Sequence, residues 1–436
     1  MLKIPYGKGF MSFEAPERRI KAVLRGTERF SAAKEEGMSE KEIVLDALAH
    51  PVGSPGLHEL AVGKQSVTII TSDHTRPMPS RVTMPLLLEE IRKGSPDADV
   101  LILIATGLHR ATTDEELVER FGEGICKEEK IVVHDCRNND SLRKIGVLPS
   151  GGDLVLSKYA LDTDLLIAEG FIEPHFFAGF SGGRKSVLPG IAGYECVVSN
   201  HSSLFIADKK ASSGVLCGNP VHRDMAFGAK AAGLAFILNV MLDEEHVIDG
   251  AVAGNPETAH AEGCERFMKK AAVKRVNAPI VISGNGGYPL DQNLYQLVKC
   301  MDTAEKCCDE GGVIIAVGEC RDGVGGESFY RDFAGGGSPR ELTELFLSRK
   351  PSGTAPDQWQ SQILARILEK HRVIVVAPLI EENVRRMGLG FAANLNDALA
   401  LADDWLRKPG EKLVANEASE VDIVVIPNGP GVVIVA

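Results

Sequence analysis

The chain has 436 residues, 44% hydrophobic and 25% charged, with a formal net charge of −12 from 60 acidic and 48 basic residues. That composition excludes a disordered chain, and the length is too great for one ordinary core, so two domains are expected. The acidic balance argues against a general role on nucleic acid or an anionic membrane while leaving room for a local basic pocket.

Read in order, Met1-Leu-Lys-Ile-Pro-Tyr-Gly7 lacks the apolar stretch of a signal peptide, and residues 1–20 carry short alternating segments of an edge strand pair. Ser39-Glu-Lys-Glu-Ile43 has the form of a helix start, with Ser39 as N-cap and acids in the first turn. A short helix is expected over 59–62, a β-branched strand over 66–70, a helix over 84–93 and a buried strand within 97–105. A helix over 113–120 follows, then strands at 130–134 and 164–168. Beyond an Ala-rich helical segment within 217–236 come a strand at 237–242 and a helix over 255–272. The alternation restarts after the basic stretch Lys269 to Arg275. Strands are expected at 278–283, 313–318, 372–376 and 421–426, with helices from about 292 into 309, over 338–347 and over 357–370. Apolar strands alternating with helices mean largely parallel sheets covered on both faces. The expected architecture is therefore α/β in two domains, 1–273 and 274–436, with an active site in the cleft between them. No uncharged apolar run reaches the roughly 18 residues of a membrane span, and a cytoplasmic location is expected. Nine cysteines with no C-x-x-C pair read as reduced, mostly buried thiols, so histidine is the expected ligand type for any metal.

Ligands of open α/β sheets bind beyond the carboxyl ends of the strands, and four such ends are polar here. They are Thr71-Ser-Asp-His-Thr-Arg-Pro-Met-Pro79, Ala105-Thr-Gly-Leu-His-Arg110, the stretch from Gly170 to Gly190, and the stretch from Gly284 to Lys299. The third holds His175, four glycines (Gly179, Gly182, Gly183, Gly190) and the adjacent cations Arg184 and Lys185. Glycine backbone and a helix starting there would favour an anion, yet Arg184 separates Gly183 from Lys185, so this is not a P-loop. Bland readings stand beside each of these. Asp73 to Pro79 has the residues of a turn. His109 suits a loop histidine with a structural hydrogen bond, His201 suits a helix terminus, and Trp359 suits core packing.

Taken together, Asp73-His-Thr-Arg76-Pro, Thr106-Gly-Leu-His109-Arg, Glu173-Pro-His175, Gly179-Phe-Ser-Gly-Gly-Arg-Lys185, His201 and Gln296-x-x-Lys299 resemble the nickel-pincer lactate racemase family over most of the chain. The resemblance implies a nickel-bearing pyridinium mononucleotide with thioamide and thiocarboxylate arms, linked covalently through Lys185, with His201 as the protein ligand to nickel. It implies His109 and His175 as the acid–base pair. It places Asp73, His74, Thr75, Arg76, Leu188, Gln296 and Lys299 at the cofactor, and Arg76, Lys299, Tyr295 and Trp359 at the substrate. Nickel accepts sulfur and imidazole ligands in a square plane, so such a cofactor needs one histidine and no cysteine cluster.

The α-hydrogen of a 2-hydroxy acid is poorly acidic beside its carboxylate, and the resemblance implies a hydride route through a 2-oxo acid instead. One histidine removes the hydroxyl proton as the α-hydride moves to the pincer ring. The oxo acid reorients, and the opposite histidine returns the proton. The expected partners are a small 2-hydroxy acid, lactate first, and the proteins that make the cofactor. Two rival readings are a racemase or epimerase of a larger 2-hydroxy acid and a non-catalytic small-molecule sensor. A third, a nucleotide-dependent kinase, is opposed by the missing Gly-Lys-Ser/Thr junction and the lack of an evident Mg²⁺-binding acidic motif. Composition leaves the oligomeric state open.

Overall fold

The computed structural model describes residues 2–26, 37–243, 245–407 and 421–436. The chain forms two compact units. One comprises residues 27–270 with 351–353, and the other residues 1–26, 271–350 and 354–436. The opening residues thus fold with the later unit, and a single cut after residue 273 does not describe the chain. The reason is local. Ile20–Val23 pairs in parallel with Ile423–Ile426 and forms the edge of the later unit's sheet.

The first unit is built on a six-stranded sheet. Its order is Ile248–Gly254, Leu234–Leu242, Leu165–Phe171, Ser66–Ser72, Asp99–Ala105, Lys130–Val133. All pairs are parallel except the outermost, Leu234–Leu242 with Ile248–Gly254. The Ile248–Gly254 strand is not expected from the sequence, because its small residues mute the β signal. Successive strands run outward on one side of Ser66–Ser72, and the chain then returns to lay Leu165–Phe171 on its other side. The carboxyl ends of these two strands therefore form a topological switch point, where such sheets bind ligands.

Helices start where the sequence marks them. Ser39 caps Glu40–Ala49 and Thr113 caps Asp114–Phe121, each closing a capping box with the third helical residue. The face of Glu40–Ala49 bearing Ile43, Val44, Ala47 and Leu48 enters a core with Val67, Ile69, Ile102 and Ile167. Each of the valine, leucine and isoleucine side chains stabilises the fold by roughly 1.5–3 kcal/mol through burial.

The later unit has its own six-stranded sheet, all parallel. The order is Gly390–Ala392, Arg372–Val376, Cys308–Val317, Ala278–Gly284, Ile423–Ile426, Ile20–Val23. Its switch point lies between Ala278–Gly284 and Ile423–Ile426. The chain leaving Gly284 runs into the helix Leu294–Glu305, capped by Asn293 through its side chain to the Gln296 N–H. The first residues form the expected strand pair, Leu2–Tyr6 with Gly9–Phe13. No helix among the described residues is long and apolar enough to cross a membrane.

Candidate active site

Three neighbouring strand ends of the first unit supply its polar residues. Beyond Ser66–Ser72 the chain turns at Asp73, a fully buried carboxylate. Its Oδ1 accepts from the Thr75 N–H (3.0 Å) and hydroxyl (2.6 Å), and its Oδ2 from His109 Nδ1–H at 2.6 Å. Burial opposes its ionisation, but His109, Arg76 and Thr75 more than offset this and hold the carboxyl well below the usual range. His109 reaches it from the turn after Asp99–Ala105, where its N–H bonds Thr106 O (3.0 Å) and Gly107 N–H bonds Gly190 O (2.9 Å). With Nδ1–H committed to Asp73, the neutral ring carries its lone pair on Nε2. The turn reading of Asp73 to Pro79 holds, and the carboxylate that makes the turn also orients His109.

His74 points elsewhere, its Nδ1 3.2 Å from the Thr112 hydroxyl and 3.7 Å from Glu116. Burial pushes its pKa down. The Arg76 side chain makes no hydrogen bond or ion pair with another described residue and acts on Asp73 through its charge.

Sequence reading missed two supports of this turn. Arg120, from the helix Asp114–Phe121, donates to the carbonyls of Asp73, Arg76 (2.8 Å) and Met78 (3.4 Å). Glu169, fully buried in Leu165–Phe171, accepts from the hydroxyls of Thr71, Ser80 and Thr83, each at 2.6 Å. A charged residue inside an all-buried strand was the available signal for Glu169. Arg120 sits in an acidic, solvated-looking helix and gave none.

Beyond Leu165–Phe171, Pro174–His175 pairs with Gly179–Phe180 in a tight hairpin. The Ala178 N–H donates to His175 Nδ1 (3.3 Å), which puts the proton of the neutral ring on Nε2, the tautomer opposite to that of His109. The expected helix start at the glycines is a four-residue 3₁₀ turn, Gly183–Ser186. Its glycines are required by packing. Gly182 and Gly183 have φ of +75° and +52°, and a Cβ on them would lie 2.8 Å from Asn239 Oδ1 and from the His260 ring respectively. Lys185 leaves this turn half-buried, its N–H on Gly182 O (3.1 Å). Leu188 is fully buried and faces Gly228 of the helix Pro220–Ala231, so its side chain is part of the core.

His201 is the C-cap of the helix Tyr194–Asn200, as the bland reading had it, and its Nδ1–H donates to Val197 O at 3.0 Å. That bond puts the ring proton on Nδ1 and the lone pair of the neutral ring on Nε2. Burial and the Lys185 ammonium, against the Val197 hydrogen bond, push its pKa down to about 3, so the ring stays neutral. A neutral imidazole with its other nitrogen tied to a carbonyl is the state that ligates a metal. Its ring meets that of Phe177 edge-on (5.2 Å), and Phe177 meets His175 (4.5 Å). Among the described residues no group of three or more His, Cys, Asp or Glu side chains is placed to hold a metal. A metal at His201 would thus bring other ligands with it, which fits a nickel cofactor with its own sulfur and carbon donors.

In the later unit, Gln296 and Lys299 share the helix Leu294–Glu305 with Tyr295. Among the described residues the Gln296 Oε1 has no hydrogen-bond partner, a buried acceptor that a ligand could satisfy. The Tyr295 hydroxyl accepts from Trp359 Nε1 at 2.9 Å, and Trp359 is buried. Tyr295 and Trp359 therefore brace one another.

The family described as Lactate racemase N-terminal domain matches residues 6–214, and Lactate racemase C-terminal domain matches 273–434. The lactate racemase of Thermoanaerobacterium thermosaccharolyticum is 50% identical over 434 residues, 99% of each chain. That of Lactiplantibacillus plantarum is 45% identical over the same span and share. The structure of the T. thermosaccharolyticum lactate racemase apoprotein aligns with a TM-score of 0.92, covering 100% of this chain and 99% of that one. A Thermotoga maritima protein, 18% identical with a TM-score of 0.64 over 94% of this chain and 99% of that one, shares the fold alone. The chain belongs to the lactate racemase family.

Proposed function

We propose that this chain, an isomerase by its family, interconverts the enantiomers of a short 2-hydroxy acid, lactate first, with a nickel-pincer pyridinium mononucleotide attached at Lys185. The observation that carries the reading is the buried Asp73–His109 pair at the switch point, a base with its lone pair fixed on Nε2. His201 would bind the nickel through Nε2, Lys185 would carry the covalent link, and Gln296 would offer its orphaned amide oxygen. When bound, the cofactor supplies a reversible acceptor for the α-hydride of the substrate.

His109 Nε2 takes the hydroxyl proton, and the resulting imidazolium is stabilised by Asp73, which stays ionised. Loss of that proton and of the α-hydride converts the hydroxy acid to a planar 2-oxo acid. His175 presents Nε2–H, set by the Ala178 N–H, and polarises the oxo group when it lies on that side. It gives its proton to that oxygen as the α-hydrogen returns, and water then carries the proton held by His109 back to His175. Arg76 and Lys299 are the cations assigned to the substrate carboxylate, holding it while the oxo acid turns over.

The test is production of the chain with and without the cofactor-synthesis genes, followed by intact-mass analysis and a lactate racemisation assay. An adduct on Lys185 and activity only in the co-produced sample are expected. His109→Ala and His175→Ala should each abolish racemisation with nickel retained. A loaded chain that leaves both lactate enantiomers untouched refutes the proposal.

A further inference from the structure

The buried guanidinium beside Lys185 takes no part in the reaction outlined above. Arg184 is 4% exposed and makes no ion pair with any described residue. Instead it is spent on the loop itself. Nη2 donates to Ala178 O at 2.8 Å, while Nη1 donates to Gly182 O (3.2 Å) and Ser181 O (3.4 Å). Nε donates to His222 Nδ1 at 2.9 Å.

The two better-made carbonyl bonds fall at informative places. Ala178 is the residue whose N–H, one peptide unit before that carbonyl, donates to His175 Nδ1, and Gly182 O is also the acceptor of the Lys185 N–H. One side chain therefore ties the backbone that orients His175 to the backbone from which Lys185 departs. The rest of the loop is held from the same side. Asn219 donates to Phe177 O (2.9 Å), and Asn239 accepts from the Gly183 N–H (2.9 Å).

Two histidines complete the guanidinium's surroundings. His260 Nε2 lies 2.8 Å from Ser181 O and 3.1 Å from Arg184 Nη1, and the Cys264 thiol lies 3.6 Å from Nε2 and 3.7 Å from Nδ1. Burial and the Arg184 charge push His222 down to about 4 and His260 well below its usual value. Both rings are therefore neutral neighbours rather than competing cations. A desolvated charge spread over three carbonyls and an imidazole is costly to bury. A loop needing only to be folded could be pinned by a neutral side chain, as Asn219 and Asn239 do.

We propose that Arg184 is a positioning residue that sets His175 and Lys185 together through the Ala178 and Gly182 peptides. The inference rests on the proposed roles of those two residues. It also predicts that lysine cannot replace arginine, because one ammonium does not span both carbonyls in the fork geometry.

The test compares wild type, Arg184→Lys and a control, Val44→Ala, which opens the core of the same unit far along the chain. All are made with the cofactor-synthesis genes. Occupancy of the Lys185 adduct, melting temperature, and kcat and KM for lactate per loaded site are measured. In Arg184→Lys, adduct occupancy or kcat per loaded site should fall at least ~10-fold with KM changed little, as misplacement of a reacting group implies. Val44→Ala, at equal or greater loss of melting temperature, should keep both near wild type. Wild-type occupancy and kcat in Arg184→Lys, or equal losses in Val44→Ala, overturn the assignment. Should Arg184→Lys fail to fold, His222→Gln against His222→Leu asks the same question. Glutamine can accept from Arg184 Nε and should rescue what leucine loses, and equal behaviour of the two overturns it. A wild-type chain without adduct or activity would instead strike the proposed function, so the two failures are distinguishable.

Discussion

Asp73→Asn is a sharp test of the acid–base arrangement, because the hydrogen bonds dictate which way the amide must turn. Oδ1 of Asp73 receives two donors from Thr75, and Oδ2 receives one from His109. Asparagine has one acceptor end and one donor end. Placing the amide oxygen toward Thr75 keeps its two bonds and sets an NH₂ against His109 Nδ1. That forces the Nδ1 lone pair and moves the ring proton to Nε2, where the base is needed bare. The opposite orientation leaves two Thr75 donors facing an NH₂ in a buried place, at about 1–3 kcal/mol each. The first orientation is therefore favoured, and it carries the wrong tautomer. It also removes the charge that stabilises the imidazolium. An aspartate-to-asparagine change with these consequences costs of order 10³–10⁴ in kcat, or about 4–5.5 kcal/mol of barrier. The assay is racemisation of each lactate enantiomer by loaded enzyme, normalised to nickel and to Lys185 adduct. A variant within tenfold of wild type at normal loading would refute the reasoning, since the carboxylate would not then be setting the proton on His109.

Three further outcomes are expected. His201→Ala should lower bound nickel to background by metal analysis while the first unit stays folded by circular dichroism; full nickel retention would remove His201 as the ligand. Arg120→Met, which frees three carbonyls of the Asp73–Met78 turn, should cost about 2–4 kcal/mol in denaturant unfolding and lower kcat/KM more than tenfold; unchanged kinetics would make Arg120 structural only. In the apoprotein, His201 (pushed down to about 3) and His222 (about 4) resist protonation when folded, whereas the unfolded chain takes those protons near pH 6.5. Their contribution is thus fully present above pH 6.5 and is lost as pH falls through the folded values, with a slope of up to about 1.4 kcal/mol per pH unit for each group. The melting temperature should fall from pH 6.5 to pH 5, and less steeply in His222→Gln; a flat profile would contradict the assignment.

Periodicity and caps made most of the fold legible. Ser39, Thr113 and the β-branched runs announce their elements because those signals are local. Ile20–Val23 was illegible in its role, since its partner strand lies about four hundred residues later, and no local pattern encodes such pairing. The candidate site divides in the same way. His109 and Asp73 stand out as polar residues after apolar strands, but the bond between them depends on strand order. The glycines of 179–190 pointed toward an anion cradle, and the structure shows two of them serving close approach to Asn239 and His260. Leu188, placed at the cofactor by the resemblance alone, is fully buried.

The two histidines are set by unlike devices, and this asymmetry is compatible with a racemase. His109 is fixed by a buried carboxylate that accepts from its Nδ1–H, whereas His175 is fixed by a backbone N–H that donates to its Nδ1. Enantiomers have equal free energies in water, so the equilibrium constant is one and kcat/KM must be equal in the two directions. Nothing in that equality constrains kcat and KM separately. A ring presenting a bare Nε2 on one side and a ring presenting Nε2–H on the other should bind the two enantiomers unequally and turn them over unequally, in compensating proportion. The site therefore needs only to bring each histidine within reach of the hydroxyl, and two strand ends on either side of Ser66–Ser72, with different chemistry, are sufficient for that.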